Sequence, residues 1–166
     1  MGKTSYALAL GSNRRSRRGA PAETVRAALE ALGADAASRI RTTPALGPAG
    51  RSFANAAALV TTDLDPPELL EALKAIERDF GRRPGRRWGP RVLDLDILLW
   101  SGGAWGTDGL VVPHAEMRRR RFVLEPLAEI APGWRDPVSG FTVRQLLFRL
   151  KARRARRRPS DQSELL

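Results

Sequence analysis

The chain has 166 residues, 42% of them hydrophobic, and no cysteine. That suits one domain with a real core, and it excludes a disulfide framework or a thiolate metal site. The formal charge of +11 is nearly all arginine. It favours anionic partners such as nucleic acid, acidic membrane or phosphorylated small molecules without choosing among them.

The opening residues, MGKTSYALALGS, hold no long apolar stretch and do not read as a signal peptide. No apolar run approaches the roughly 18–20 residues of a membrane span, so a cytoplasmic chain is expected. Residues 4–11, TSYALALG, read as a first strand ended by Gly11, followed by the basic, turn-rich RRSRRGAPA. Residues 22–32 place Val25, Ala28, Leu29 and Leu32 at helical spacing, with Gly33 as the stop. Residues 38–43 alternate as a second strand, PALGPAGRS is a loop, and residues 53–62 read as a third strand.

The next helix has the fullest signature. Asp65 is an N-cap, Pro66 takes the first helical position and Glu68 completes a capping box; Leu69, Leu70, Leu73, Ile76 and Phe80 form the apolar face, and Gly81 ends it. A long basic loop, RRPGRRWGPR, leads into a fourth strand, VLDLDILLW. SGGAWGTDG suggests a hairpin, and short helices are expected near residues 114–119 and 122–130. FTVRQLLFRLKARRARRR reads as a final helix with Val143, Leu146, Leu147 and Leu150 inward. A single domain over residues 1–150 is expected, with 151–166 forming a basic helix end and a frayed tail. The order strand–helix–strand–strand–helix–strand is that of a ferredoxin-like α+β fold: a four-stranded antiparallel sheet with helices packed on one face, plus C-terminal helices.

Asp94 and Asp96 interrupt the apolar fourth strand. Side chains alternate along a strand, so both point to one face with Cα atoms about 6.5–7 Å apart, leaving Leu93, Leu95 and Ile97 for the core. Hard oxygen donors at this spacing suit Mg²⁺, which uses one or two carboxylates, water and substrate phosphates. A solvated sheet face with Asp94 and Asp96 paired to Arg87 and Arg91 is the plainer alternative. The adjoining loop favours the cation site. It sets Arg82, Arg83, Arg86, Arg87 and Arg91 among glycines and prolines, where they could clamp a polyphosphate under Trp88. There is no GxxxxGK[ST] P-loop.

The stretch RWGPRVLDLDIL, preceded by ALALGSN, RTTPALGP, FANAA and ELLEALKAIERDFGR and followed by LVVPHAEMRRRRFVLEPLAEIAP, resembles the 6-hydroxymethyl-7,8-dihydropterin pyrophosphokinases of folate biosynthesis. The resemblance runs over about residues 6–132. It implies a ferredoxin-like fold and transfer of diphosphate from ATP to the pterin hydroxymethyl oxygen, with release of AMP. It further implies that Asp94 and Asp96 hold two Mg²⁺ ions and that Arg82 and Arg91 stabilise the transferring group. Trp88 and its loop would close over the site. Phe53 and Phe122 would sandwich the pterin, Asn55 would bond its edge, and Thr43, Pro44 and Leu46 would line the pocket. Glu77, Arg87, His114 and Arg120 would hold ATP. Lys74 stands where the family commonly has Gln, and Ala115 where it has Pro or an aromatic residue.

Each of these positions also has an ordinary structural use. Phe53 and Phe122 could be core aromatics, His114 a helix cap, and Gly11-Ser12-Asn13 a turn. Two other classes fit parts of the pattern. An RNA-recognition module shares the element order and the charge, but YALALGS lacks a stacking-aromatic pattern and the two aspartates would repel a phosphate backbone. A non-catalytic ligand- or metal-binding regulator is the other. The expectation is a monomeric enzyme acting on small molecules, without nucleic acid or membrane partners.

Overall fold

The computed structural model describes residues 2–43, 52–81 and 92–157. In chain order these form β1 (Thr4–Ser12), α1 (Pro21–Leu32), β2 (Ala36–Ala37), β3 (Arg41–Thr43), β4 (Phe53–Thr62) and α2 (Pro66–Asp79). After them come β5 (Asp94–Trp100), β6 (Trp105–Thr107), β7 (Leu110–Val112), a 3₁₀ turn at Met117–Arg119, α3 (Arg121–Ile130) and α4 (Val143–Arg157). Among the described residues no helix is long and apolar enough to cross a membrane.

The caps explain why the helices stand where they do. At α2 the Asp65 carboxylate accepts from the Glu68 N–H at 2.9 Å, and Glu68 accepts from the Asp65 N–H at 3.1 Å. Two otherwise unsatisfied helix-end donors are thereby paired. Helix α1 has no side-chain oxygen at its N-cap, Ala20, but Glu23 reaches back to the Ala20 N–H at 2.8 Å. It ends at Gly33, whose φ of 59° is the left-handed conformation that glycine adopts at least cost.

β1 is central, antiparallel to β4 on one side and to β5 on the other. β2 and β3 pair in succession with the outer edge of β4. The sheet thus has four lanes in the ferredoxin-like order, and the second predicted strand is split in two. Ala37 opposes Ala58 and Arg41 opposes Asn55, so four steps on one side match three on the other. Ser38 fills the gap: its N–H donates to the Ala57 carbonyl and its hydroxyl accepts from the Ala57 N–H, both at 2.9 Å.

One face of the sheet carries Leu8, Leu10, Ala56, Leu95 and Ile97, packed with Val25 and Ala28 of α1 and Leu69 and Leu73 of α2. The C-terminal helices take the other face. Ala7, Ala57, Leu98 and Leu99 are buried there with Val123, Leu124 and Leu127 of α3 and Val143 and Leu146 of α4. A bulge between β1 and β5 makes this possible. Leu8 opposes Ile97 but Ala7 opposes Leu99, so Leu98 is the extra residue and both Leu98 and Leu99 reach the second core.

Candidate active site

The register sets four side-chain positions in one row across the sheet: Asp94 on β5, Gly11 on β1, Asn55 on β4 and Arg41 on β3. Directly opposed residues share a face, and lanes lie about 4.8 Å apart, so Asp94 and Asn55 stand roughly 10 Å from each other. The next row on that face is Asp96, Ala9 and Ala57. Ala57 lies in the core under α3, so this is the face that α3 and α4 partly cover. Burial falls across the sheet toward the β5 edge: in one row Ala57 is buried, Ala9 half-buried and Asp96 exposed, and in the next Asn55, Gly11 and Asp94 are all half-buried. The described helices leave this end of the face open.

Gly11 is a strand residue and not the end of one, and its lack of a side chain matters. A Cβ there would lie 3.2 Å from the Asn55 side-chain oxygen, tighter than ordinary contact. Glycine leaves the floor between the acidic pair and the amide clear. A glycine inside a strand is a sequence signal for such a close approach.

His114 hangs from the edge of β5, its N–H donating to the Leu98 carbonyl at 3.0 Å. Its Nδ1 accepts from the Glu116 N–H at 3.1 Å, which leaves the Nε2 N–H facing Asp96, 3.9 Å from Oδ1. Glu77 is 5% exposed and accepts the Leu95 N–H at 2.8 Å. Leu95 lies between the two aspartates, so Glu77 fastens α2 to the edge strand at the point where the pair projects. The described bond makes it a support for the strand that bears the aspartates.

The 3₁₀ turn after His114 is anchored by a pairing that sequence spacing does not announce. Arg118 donates through Nε at 2.5 Å and through a terminal nitrogen at 2.8 Å to the Asp136 carboxylate, which is fully buried. The Ser139 hydroxyl at 2.6 Å and the Val138 N–H at 3.0 Å also donate to it. Burial alone would push the Asp136 carboxyl up, but these bonds and the Arg118 charge outweigh it and hold it down at about 2. Arg120 follows as the N-cap residue of α3 and lies 5.8 Å over the Phe122 ring.

Phe53 and Phe122 are not core aromatics: they are 46% and 52% exposed. Phe53, Asn55 and Ala57 alternate onto the face that α3 packs against, so both phenylalanines lie on that side of the sheet. Thr43 is exposed and directly opposite Phe53. The structure thus gathers Asp94, Asp96, His114 and Asn55 on one side, with Thr43 and Phe53 paired in the row beyond Asn55 and Phe122 carried at the start of α3. Arg82, Arg87, Trp88, Arg91, Pro44 and Leu46 lie outside the described residues.

Among the described residues no group of three or more acidic, histidine or cysteine side chains could by itself hold a metal ion. Two same-face carboxylates are nevertheless the donor set Mg²⁺ uses when a phosphate supplies further oxygens, so these residues fit that ion.

Sheet order and site together define a ferredoxin-like α+β domain with an acidic pair and an amide displayed on one open sheet end. Residues 7–132 match the family model described as 7,8-dihydro-6-hydroxymethylpterin-pyrophosphokinase, and the chain belongs to that family. A Pseudomonas aeruginosa protein named 2-amino-4-hydroxy-6-hydroxymethyldihydropteridine pyrophosphokinase is 44% identical over 137 residues, covering 78% of this chain and 82% of its own. A Synechocystis protein of the same name is 47% identical over 103 residues, covering 62% of this chain. The chain spans 53% of that Synechocystis relative and 61% of a Methylorubrum extorquens relative. The Plasmodium falciparum HPPK-DHPS crystal structure superposes with a TM-score of 0.73 at 14% identity, over 94% of this chain and 46% of the other, and shares its fold.

Proposed function

We propose that the chain transfers the β,γ-diphosphoryl group of ATP to the hydroxymethyl oxygen of 6-hydroxymethyl-7,8-dihydropterin in folate biosynthesis. The hydroxyl oxygen forms a bond to the β-phosphorus, the bond from that phosphorus to the α,β-bridging oxygen breaks, AMP leaves and the hydroxyl proton is lost. The observation that carries this is the shared sheet face. Asp94 and Asp96 stand two lanes from Asn55, a separation that suits a phosphate chain at one end and a polar ring at the other.

In this reading Asp94 and Asp96 hold two Mg²⁺ ions, which neutralise phosphate charge when bound. Phe53 and Phe122 stack on the pterin and the Asn55 amide pairs with its edge, with Thr43, Pro44 and Leu46 completing the pocket. His114, Arg87 and Arg120 bind the nucleotide. Glu77 acts on it through β5, by holding the strand that carries the aspartates. Arg82 and Arg91 stabilise the transferring group, and Trp88 excludes water. Catalysis is then mainly alignment of the hydroxyl with the β-phosphorus together with charge neutralisation. A monomer acting in the cytoplasm completes the proposal.

Purified protein with ATP, Mg²⁺ and 6-hydroxymethyl-7,8-dihydropterin should form AMP and pterin diphosphate in equal amounts, and no AMP without the pterin. ADP as the product, or no pterin-dependent AMP, overturns the assignment.

A further inference from the structure

On the second face of the sheet, beside Asn55, lies an ion-pair group that the proposed chemistry does not use. Arg41 of β3 stands directly opposite Asn55 and extends to α3. One of its terminal nitrogens donates to Glu125 at 3.1 Å and the other to Glu129 at 3.5 Å. Glu129 also accepts the backbone N–H of Arg39 at 3.0 Å, just before β3. Glu125 in turn accepts from Nε of Arg121, the residue next to Phe122. Glu125 therefore receives one arginine from each side of the pocket. β3 carries Thr43 opposite Phe53, and α3 carries Phe122.

We infer that Arg41, through Glu125 and Glu129, is a positioning residue that sets the separation of the two aromatic walls, Phe53 and Phe122. This rests on the pterin-slot reading above.

Three observations distinguish this group from an ordinary surface ion pair. The Glu125 side chain is 19% exposed and that of Arg41 32%, so the charges are partly removed from water and less screened than a surface pair. Burial would raise the Glu125 carboxyl, but the Arg121 hydrogen bond and the charges of Arg121, Arg41 and Lys151 more than offset it and hold it below its ordinary value. The Arg41 Nε is buried with no hydrogen-bond partner. An unpaired buried donor is costly, so the guanidinium is held in this pose by its other bonds and does not sit where it would be best satisfied. A guanidinium fork reaching two carboxylates on successive turns of one helix fixes both distance and orientation, which a lysine could not do.

The test uses Arg41→Met, Arg41→Lys, Glu125→Gln and the double variant Arg41→Met/Glu125→Gln in the full chain. Calorimetry would measure binding of an α,β-methylene ATP analogue, and then of 6-hydroxymethyl-7,8-dihydropterin to the analogue complex. Arg41→Met and Glu125→Gln should each weaken pterin binding by about tenfold, because contacting residues in one ion-pair network couple. Affinity for the analogue should stay within about twofold, and the double variant should be no worse than the singles. Arg41→Lys, which keeps the charge and loses the fork, should recover only part of the loss. Glu125→Gln carries the test should Arg41→Met fail to fold. Pterin affinity unchanged in folded single variants, or pterin and nucleotide weakened alike, overturns the inference. Phe53→Ala and Phe122→Ala separate the two readings. If neither weakens pterin binding, the slot itself is misassigned; if both do and Arg41→Met does not, the positioning role alone falls.

Discussion

Near the C-terminal end Asp136 is fully buried, its carboxylate accepting from Arg118, from Ser139 and from the Val138 N–H. On β5, Asp94 is half-buried and Asp96 has 49% of its side chain exposed, at the end of the sheet that the described helices leave open. Where internal donors surround the carboxylate, it ties loops together, and the cost of losing it falls on stability. Where two like charges are held side by side at an open face, the proposed cation site puts the cost of losing them on activity. Glu77 lies between these cases: it is buried like Asp136, but its bond goes to the strand that carries the exposed pair.

The largest effect should come from the open pair. Asp94→Ala and Asp96→Ala should each lower AMP formation by about 10³-fold, the order seen when a group stabilising developing charge is removed. Circular dichroism should show both variants folded, so that the loss is one of activity. Near-normal turnover at ordinary Mg²⁺ in both variants would erase the contrast with Asp136.

Asp136→Ala should behave in the opposite way, losing about 3 kcal/mol in urea denaturation because Arg118 is left partly buried without its partner. Turnover per folded molecule should stay close to that of the unaltered chain. The same carboxylate predicts an acid limb. Its folded-state value, about 2, lies below the ordinary 3.8, so its contribution is fully present above about pH 5 and is lost as pH falls from there through 2. The shift corresponds to about 2 kcal/mol. Urea midpoints taken between pH 6 and pH 2.5 should fall more steeply for the unaltered chain than for Asp136→Ala, and parallel curves would remove Asp136 from the acid response.

Glu77 should register in both measurements. Glu77→Ala should cost about 1–3 kcal/mol through the orphaned Leu95 N–H, and it should lower turnover as well because β5 loses its anchor between the aspartates. Glu77→Gln, which keeps an oxygen for that N–H, should restore most of the stability. The smallest effect is expected at Asn55. Asn55→Ala should weaken pterin binding about tenfold with nucleotide binding and stability nearly unchanged. Equal weakening of both ligands in calorimetry would make the amide structural.

Much of this is legible in the sequence. The capping box at Asp65 and Glu68, the stop at Gly33 and the span of β4 are local matters, decided by nearest neighbours along the chain, and they stand where they were expected. Alternation alone placed Asp94 and Asp96 on one face and Leu93, Leu95 and Ile97 in the core. The recurrence of the family's motifs supplied the residue roles that are proposed. Other features depended on contacts between distant segments. The expected strand over residues 38–43 divides because its register is set by β4, not by its own composition. The bulge at Leu98 follows from pairing with β1, and it gives the second face enough apolar surface to seat α3 and α4. Glu77 of α2 accepts a backbone N–H 18 residues away on β5, which no spacing along the helix announces. Arg118 with Asp136, and Arg41 with Glu125, are likewise separated by 18 and 84 residues. Local sequence carries propensity, periodicity and capping, which act over a few residues. Which buried donor meets which acceptor is decided only when packing removes water from both, and that is a property of the tertiary structure.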